Sequence, residues 1–195
     1  MTNRRWLEKR ISECILALPA FFYLGLIYFH GAYDLQNWRL VLVQTGFIAC
    51  GLLVFLLILN PARRLLPKFK AIHFFNRFRR QIGVAVFGYA LLHYIAVIMK
   101  SICKRGYFWP SYLLQVVPFT GVLAFVLLFL LAITSNDYSI KRLGGARWKQ
   151  LHRLAYVIEG LIMLHLLLQG GQTAILACII FIPLIIVQLF SRRLN

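Results

Sequence analysis

Six runs of apolar residues, each close to the length that crosses a bilayer, constrain this chain more than any other feature of it. They cover about residues 12–30, 40–59, 82–100, 111–134, 152–169 and 173–190. A hydrocarbon core about 30 Å thick is crossed by about 20 helical residues. Inside lipid the backbone has no water to bond to, so a spanning segment must satisfy its own N–H and C=O groups. The runs carry none of the period-two alternation of strands, and helices are what remain. With 61% of residues hydrophobic and 14% charged, 195 residues could not hide this apolar surface from water. The expected fold is therefore all-α: an integral membrane six-helix bundle in which residues 1–195 form a single transmembrane domain.

The formal net charge of +17 could suggest a nucleic-acid ligand. The placement of the charges excludes it. Lys and Arg sit between the apolar runs, as membrane anchors do, and not on a continuous basic face. The expected partner for this charge is anionic membrane lipid, with no nucleic acid. Eighteen of the 22 cations fall on one side of the six spans: Arg4, Arg5, Lys9 and Arg10, the 63–80 connection, the 141–153 connection, and Arg192 with Arg193. Arg39, Lys100, Lys104 and Arg105 make up the other side. The positive-inside rule then places both termini in the cytoplasm. The first run lacks a small-x-small cleavage site and reads as a retained helix. The four cysteines show no metal-ligand spacing and read as small buried hydrophobes. No GxGxxG dinucleotide motif and no internal repeat stand out.

Titratable residues at membrane depth default to a functional reading. His93 lies inside the third span and His165 inside the fifth, each about 16 Å from its cytoplasmic end at 1.5 Å per residue. Two imidazoles at one depth on two helices suit axial ligation of a haem iron from both faces. Structural zinc would require four closed ligands, and the chain has no CxxCH motif for covalent haem, so non-covalent haem b fits best. His152 lies about 20 Å nearer the cytoplasm and cannot reach the same iron. On an ideal helix it would also sit about 140° around from His165. From the residues alone, a hydrogen-bonded core histidine is the competing reading for each. Glu159, seven residues after His152, reads either as a carboxyl bonded to a neighbouring helix or as a proton or quinone contact.

Several stretches carry a family resemblance. Arg79-Arg80-Gln81-Ile82-Gly83 is followed by Tyr89-Ala90-Leu91-Leu92-His93. Thr134-Ser135 is followed by Arg142-Leu143-Gly144 and then by Trp148-Lys149-Gln150-Leu151-His152-Arg153-Leu154-Ala155-Tyr156, with His165 thirteen residues after His152. Thr45-Gly46 and Asn60-Pro61-Ala62-Arg63-Arg64 mark the second span. Over about residues 40–190 the chain resembles the haem-binding membrane subunit of the bacterial methionine sulfoxide reductase system, within the ferric reductase-like transmembrane superfamily. Val117-Pro118-Phe119-Thr120-Gly121 resembles a remnant of the family's proline-containing start of the fourth span.

The resemblance implies roles. His93 and His165 would ligate one haem b. His152 would ligate or neighbour a second haem, whose partner histidine in two-haem relatives is replaced here by Arg80. Arg79 or Arg80 would pair with haem propionates, as guanidinium does with carboxylates. The resemblance implies a site in the bacterial inner membrane and electrons drawn from the quinone pool. The electrons would pass to a periplasmic molybdopterin methionine sulfoxide reductase subunit that repairs oxidised proteins. It also implies a possible FMN, for which no segment suggests a site. The chain would be an electron-transfer subunit with no catalytic residues of its own. The alternative is a ferric reductase or oxidase type of membrane domain with another donor and acceptor.

Overall fold

A computed structural model describes the backbone of residues 2–30 and 34–193, with the side chains of residues 2–6, 8, 9, 26 and 30 left aside. Arg4, Arg5 and Lys9, which contribute to the charge asymmetry, therefore lie outside the described side chains. Every regular element among the described residues is helical. Six segments are long and apolar enough to cross a membrane: Arg10–Phe29, Leu35–Leu65, Arg79–Arg105, Val116–Ile133, Gly145–Gln169 and Gly171–Arg193. The protein is a multi-pass membrane protein.

The helices run past the apolar runs that define them. They are α1 (Thr2–His30), α2 (Leu35–Leu65), α3 (Lys70–Asn76), α4 (Arg79–Arg105), α5 (Val116–Ile133), α6 (Asp137–Leu143), α7 (Gly145–Leu151), α8 (Leu154–Gln169) and α9 (Gly171–Arg193). Intrahelical bonding continues into polar flanks that hydropathy alone does not delimit, so α2 and α4 exceed their expected bounds at both ends. The fourth span is shorter than its expected 111–134. Pro110–Leu114 forms a 3₁₀ turn, and Gln115 is extended at φ −65° and ψ 148° before α5 begins. Pro118 is tolerated at the third position of α5, where a missing N–H breaks no helical bond. The two basic connections are helical as well. The Asn136 side chain caps α6 by accepting from Ser139 N at 2.7 Å, and Gly144, at φ +75°, ends α6 in a conformation that favours glycine.

The described residues form two compact units, Met1–Leu52 with Arg80–Pro110, and Leu53–Arg79 with Ser111–Asn195. In the first, Tyr23, Trp38, Val41 and Ala96 make a buried cluster, with Ile27, Leu42, Ile48, Met99 and Cys103 packed on it. Tyr89 on α4 donates its hydroxyl to Leu16 O on α1 at 2.6 Å. In the second, Ile158 of α8 and Ala177 and Phe181 of α9 have no exposed surface.

Beside this apolar interior, large apolar side chains also cover the outside, and a few polar ones are buried. Phe21, Phe22, Val43, Phe47, Ile179 and Ile186 are exposed, while Thr45, Thr120, Glu159, Gln188 and Ser191 are buried. Lipid rewards no apolar burial, so polar side chains turn inward to find partners and apolar ones face the acyl chains. Cys14 faces outward on α1 and is not the buried hydrophobe expected of it; Cys50, Cys103 and Cys178 are half-buried.

Candidate functional site

His93 belongs to α4 and faces α2. Its Nδ1 lies 2.8 Å from the carbonyl oxygen of Leu42. A carbonyl only accepts, so Nδ1 carries the proton, and in the neutral ring Nε2 keeps its lone pair. One turn on from Leu42 is Gly46. A Cβ at Gly46 would stand 2.8 Å from His93 Nδ1 and 3.0 Å from Cε1.

His165 belongs to α8 and faces α5, against which α8 packs. Its Nδ1 lies 2.9 Å from Val117 O and 3.2 Å from Thr120 Oγ1. The same assignment follows: Nδ1 donates and Nε2 accepts. The Gln169 amide, 2.9 Å from Nε2, donates to that lone pair. Here too a glycine lies one turn past the carbonyl, and a Cβ at Gly121 would stand 3.1 Å from His165 Cε1 and 3.3 Å from Nδ1.

His152 is held differently. It caps the end of α7 and stacks on Trp148, with ring centroids 4.0 Å apart and planes inclined by 31°. The Trp148 indole N–H donates to Thr134 O at 2.9 Å, at the end of α5. This explains the spacing of Thr134, Trp148 and His152: one carbonyl left open at a helix end holds the indole that holds the imidazole. His152 Nε2 is buried with no hydrogen-bond partner among the described residues. A buried ring nitrogen without a partner is a place for a group brought in by a ligand.

The ideal-helix offset of about 140° between His152 and His165 does not apply. Arg153 N, Ala155 N and Tyr156 N bond to the carbonyls three residues back, at Gln150, His152 and Arg153. Each residue wound at about 120° instead of 100° removes about 20° from that offset.

The two arginines separate. Arg79 is half-buried and donates to Asn60 Oδ1 and, at 3.4 Å, to Asn76 Oδ1, which ties the start of α4 to α2 and α3. It also lies within Coulombic range of His152. Arg80 is exposed.

Glu159 has the interhelical partner that one reading of it expects. Gln188 Nε2 on α9 lies 3.1 Å from each carboxylate oxygen, and both residues are buried. Sequence reasoning missed Gln188. Depth arithmetic would have found it, because Glu159 lies five residues inside α8 and Gln188 five residues from the end of antiparallel α9, or about 7.5 Å each.

Among the described residues, no three His, Cys, Asp or Glu side chains gather to hold a metal ion by themselves. Each imidazole, fixed through Nδ1, is a donor that suits an iron whose other ligands come from a macrocycle. The donor chemistry fits haem.

Residues 45–164 match the family model described as ferric reductase like transmembrane component. The chain belongs to this family. The matched stretch contains Gly46, Arg79, Arg80, His93, Gly121, Trp148 and His152, and it ends one residue before His165. The protein-methionine-sulfoxide reductase heme-binding subunit MsrQ of Ralstonia nicotianae is 33% identical over 167 residues, 80% of this chain and 70% of the relative. The subunit of the same name from Herminiimonas arsenicoxydans is 36% identical over 133 residues, 63% of this chain and 55% of the relative. The magnetosome protein MamZ of Magnetospirillum gryphiswaldense is 36% identical over 123 residues; the match takes in 60% of this chain but spans only 18% of that protein. No solved structure matches the chain.

Proposed function

We propose that this chain is a haem b electron-transfer subunit of a methionine sulfoxide reductase system, in which His93 and His165 would hold the haem iron through Nε2. One observation carries the reading: both histidines sit inside membrane-length helices with Nδ1 on a backbone carbonyl of a neighbouring helix. That bond fixes the tautomer, orients the ring and raises the basicity of the ligating nitrogen. Gln169 is exposed and clears Nε2 by a change of rotamer.

Bound haem would supply a one-electron redox centre, and the chain's residues hold and orient it. In this reading His152, with its buried Nε2 bare, ligates or borders a second haem, and Arg79 or Arg80 faces propionate groups. The subunit sits in the bacterial inner membrane with both termini cytoplasmic. It passes electrons from the quinone pool to a periplasmic molybdopterin subunit that reduces methionine sulfoxide in proteins. FMN enters the proposal through the family resemblance alone. The names of the Ralstonia and Herminiimonas relatives support the haem and the reductase system.

The test is an absorption spectrum of the purified full chain. A Soret band with bis-imidazole features is expected, and its absence would sink the haem reading. Co-purification of a molybdenum enzyme supports the proposed acceptor. A haem protein that never captures one would favour a ferric reductase or oxidase type of domain.

A further inference from the structure

The two ligand histidines lie in the same local cradle, built twice. On α2 the residues are Leu42, Thr45 and Gly46 against His93; on α5 they are Val117, Thr120 and Gly121 against His165. In each, a carbonyl at position i takes the imidazole Nδ1–H, a buried Thr stands at i+3, and a glycine stands at i+4. Each Thr hydroxyl is bonded to a backbone carbonyl of its own helix, Val41 O at 2.6 Å and Val117 O at 2.7 Å.

Helix geometry explains the spacing. The carbonyl of residue i points along the axis toward residue i+4, and every Cα–Cβ bond leans back toward the N-terminus. A side chain at i+4 therefore overhangs the carbonyl of residue i. Glycine at i+4 uncovers it, and its second lone pair becomes open to a donor from the next helix. A mid-helix glycine is less favourable than alanine. Gly46 and Gly121 occupy such positions, and both meet an imidazole ring where a Cβ would be.

We propose that Gly46 and Gly121 are positioning residues for the haem ligands: each opens a helix carbonyl that sets the tautomer and ring plane of one histidine. The inference rests on the haem reading and adds what holds the ligands. In the second cradle Thr120 Oγ1 also lies 3.2 Å from His165 Nδ1, so the hydroxyl and the imidazole share Val117 O.

The experiment uses the full chain in detergent, with Gly46→Ala and Gly121→Ala compared against Gly51→Ala and Gly160→Ala. Gly51 shares α2 with Gly46, Gly160 lies on α8 with His165, and a Cβ at either meets nothing within 4 Å. Gly46→Ala is expected to lower haem affinity about ten-fold or more, in the range seen when a metal ligand loses its supporting shell. Gly121→Ala should do the same more mildly, because its contacts are 3.1 and 3.3 Å against 2.8 and 3.0 Å. Haem retained by either variant should show altered electron paramagnetic resonance g-values and midpoint potential, which a merely looser helix contact would not produce. Ring ¹⁵N shifts of labelled histidine should report Nδ1–H in the wild type and its loss at His93 in Gly46→Ala, with or without haem. If Gly46→Ala matches Gly51→Ala in haem content, g-values and ¹⁵N shifts, the cradle inference falls while the haem reading stands. A wild-type chain without a Soret band overturns the haem reading instead.

Discussion

Replacing Gln188 by leucine tests how the interior of the second unit tolerates Glu159. Gln188 Nε2 reaches both carboxylate oxygens at 3.1 Å, and the two residues are 7% and 3% exposed. The hydrogen-bond partner is an amide, and the cation Arg192 lies within Coulombic range on the same helix as Gln188. Taking the carboxyl as neutral, the pair is an interhelical hydrogen bond between uncharged groups. Such bonds in membrane proteins average about 0.6 kcal/mol and reach about 1.7. Removing one side also strands a buried acceptor, so Gln188→Leu should destabilise by about 1–2 kcal/mol. The double variant Glu159→Leu/Gln188→Leu should recover most of that loss, because replacing both partners by apolar groups leaves nothing unsatisfied. Reversible unfolding in mixed micelles, followed by helical circular dichroism, gives the four stabilities of the cycle. A loss of about 3–5 kcal/mol in Gln188→Leu would mean an ionised carboxylate left unpaired. A coupling within the usual additivity error of about 0.3–0.5 kcal/mol would mean that the bond contributes nothing. Either result refutes the reasoning.

Three further expectations concern the site and its supports. His93→Ala and His165→Ala should each abolish the same haem signal in reduced-minus-oxidised spectra, while His152→Ala leaves it largely intact; loss of all haem in His152→Ala with none in His93→Ala would reverse the assignment. Trp148→Leu removes the indole bond to Thr134 O and the stack on His152; the lost hydrogen bond should lower stability by about 0.5–1.5 kcal/mol, and spectra should change only in signals that depend on His152. Gly170→Ala forces a Cβ onto φ 73° and ψ −173° at the end of α8, a region that is essentially glycine-only, and melting of the full chain should show a loss of about 1–3 kcal/mol, with Gly160→Ala as the helical control.

The membrane spans and their histidines are legible in the sequence because both signals are local. An apolar run of bilayer length has one structural outcome, and a histidine inside it stands out against its neighbours. The cradles are not legible in that way. Thr45-Gly46 and Thr120-Gly121 are ordinary dipeptides until the facing helix is known, and the repeat they form shares only Thr and Gly on one turn, too short to register as internal similarity. The 3₁₀ winding around His152 also escapes periodicity, which assumes 100° per residue throughout. Helices α3, α6 and α7 lie in polar, basic connections where hydropathy is silent, although Asn136 and Gly144 mark the ends of α6 by their chemistry. Gln188 was hidden because a polar residue near a basic helix end looks like an anchor until Glu159 is placed opposite it.

The three histidines differ in what fixes them, and the difference bears on their roles. His93 and His165 are held by main-chain carbonyls inside long helices, groups that move only if the helix moves. His152 is held by a side-chain stack on Trp148, itself hung from the carbonyl of Thr134, in a turn where the winding tightens. Backbone-held imidazoles keep one tautomer and one ring plane, which suits fixed axial ligation. The stacked imidazole of His152 leaves a buried Nε2 with no hydrogen-bond partner among the described residues. The Arg79 guanidinium is already engaged, since it ties Asn60 to Asn76. Its position between α2 and α3 makes it first a structural link. In the proposed reading a propionate would have to compete with two amide oxygens for Arg79.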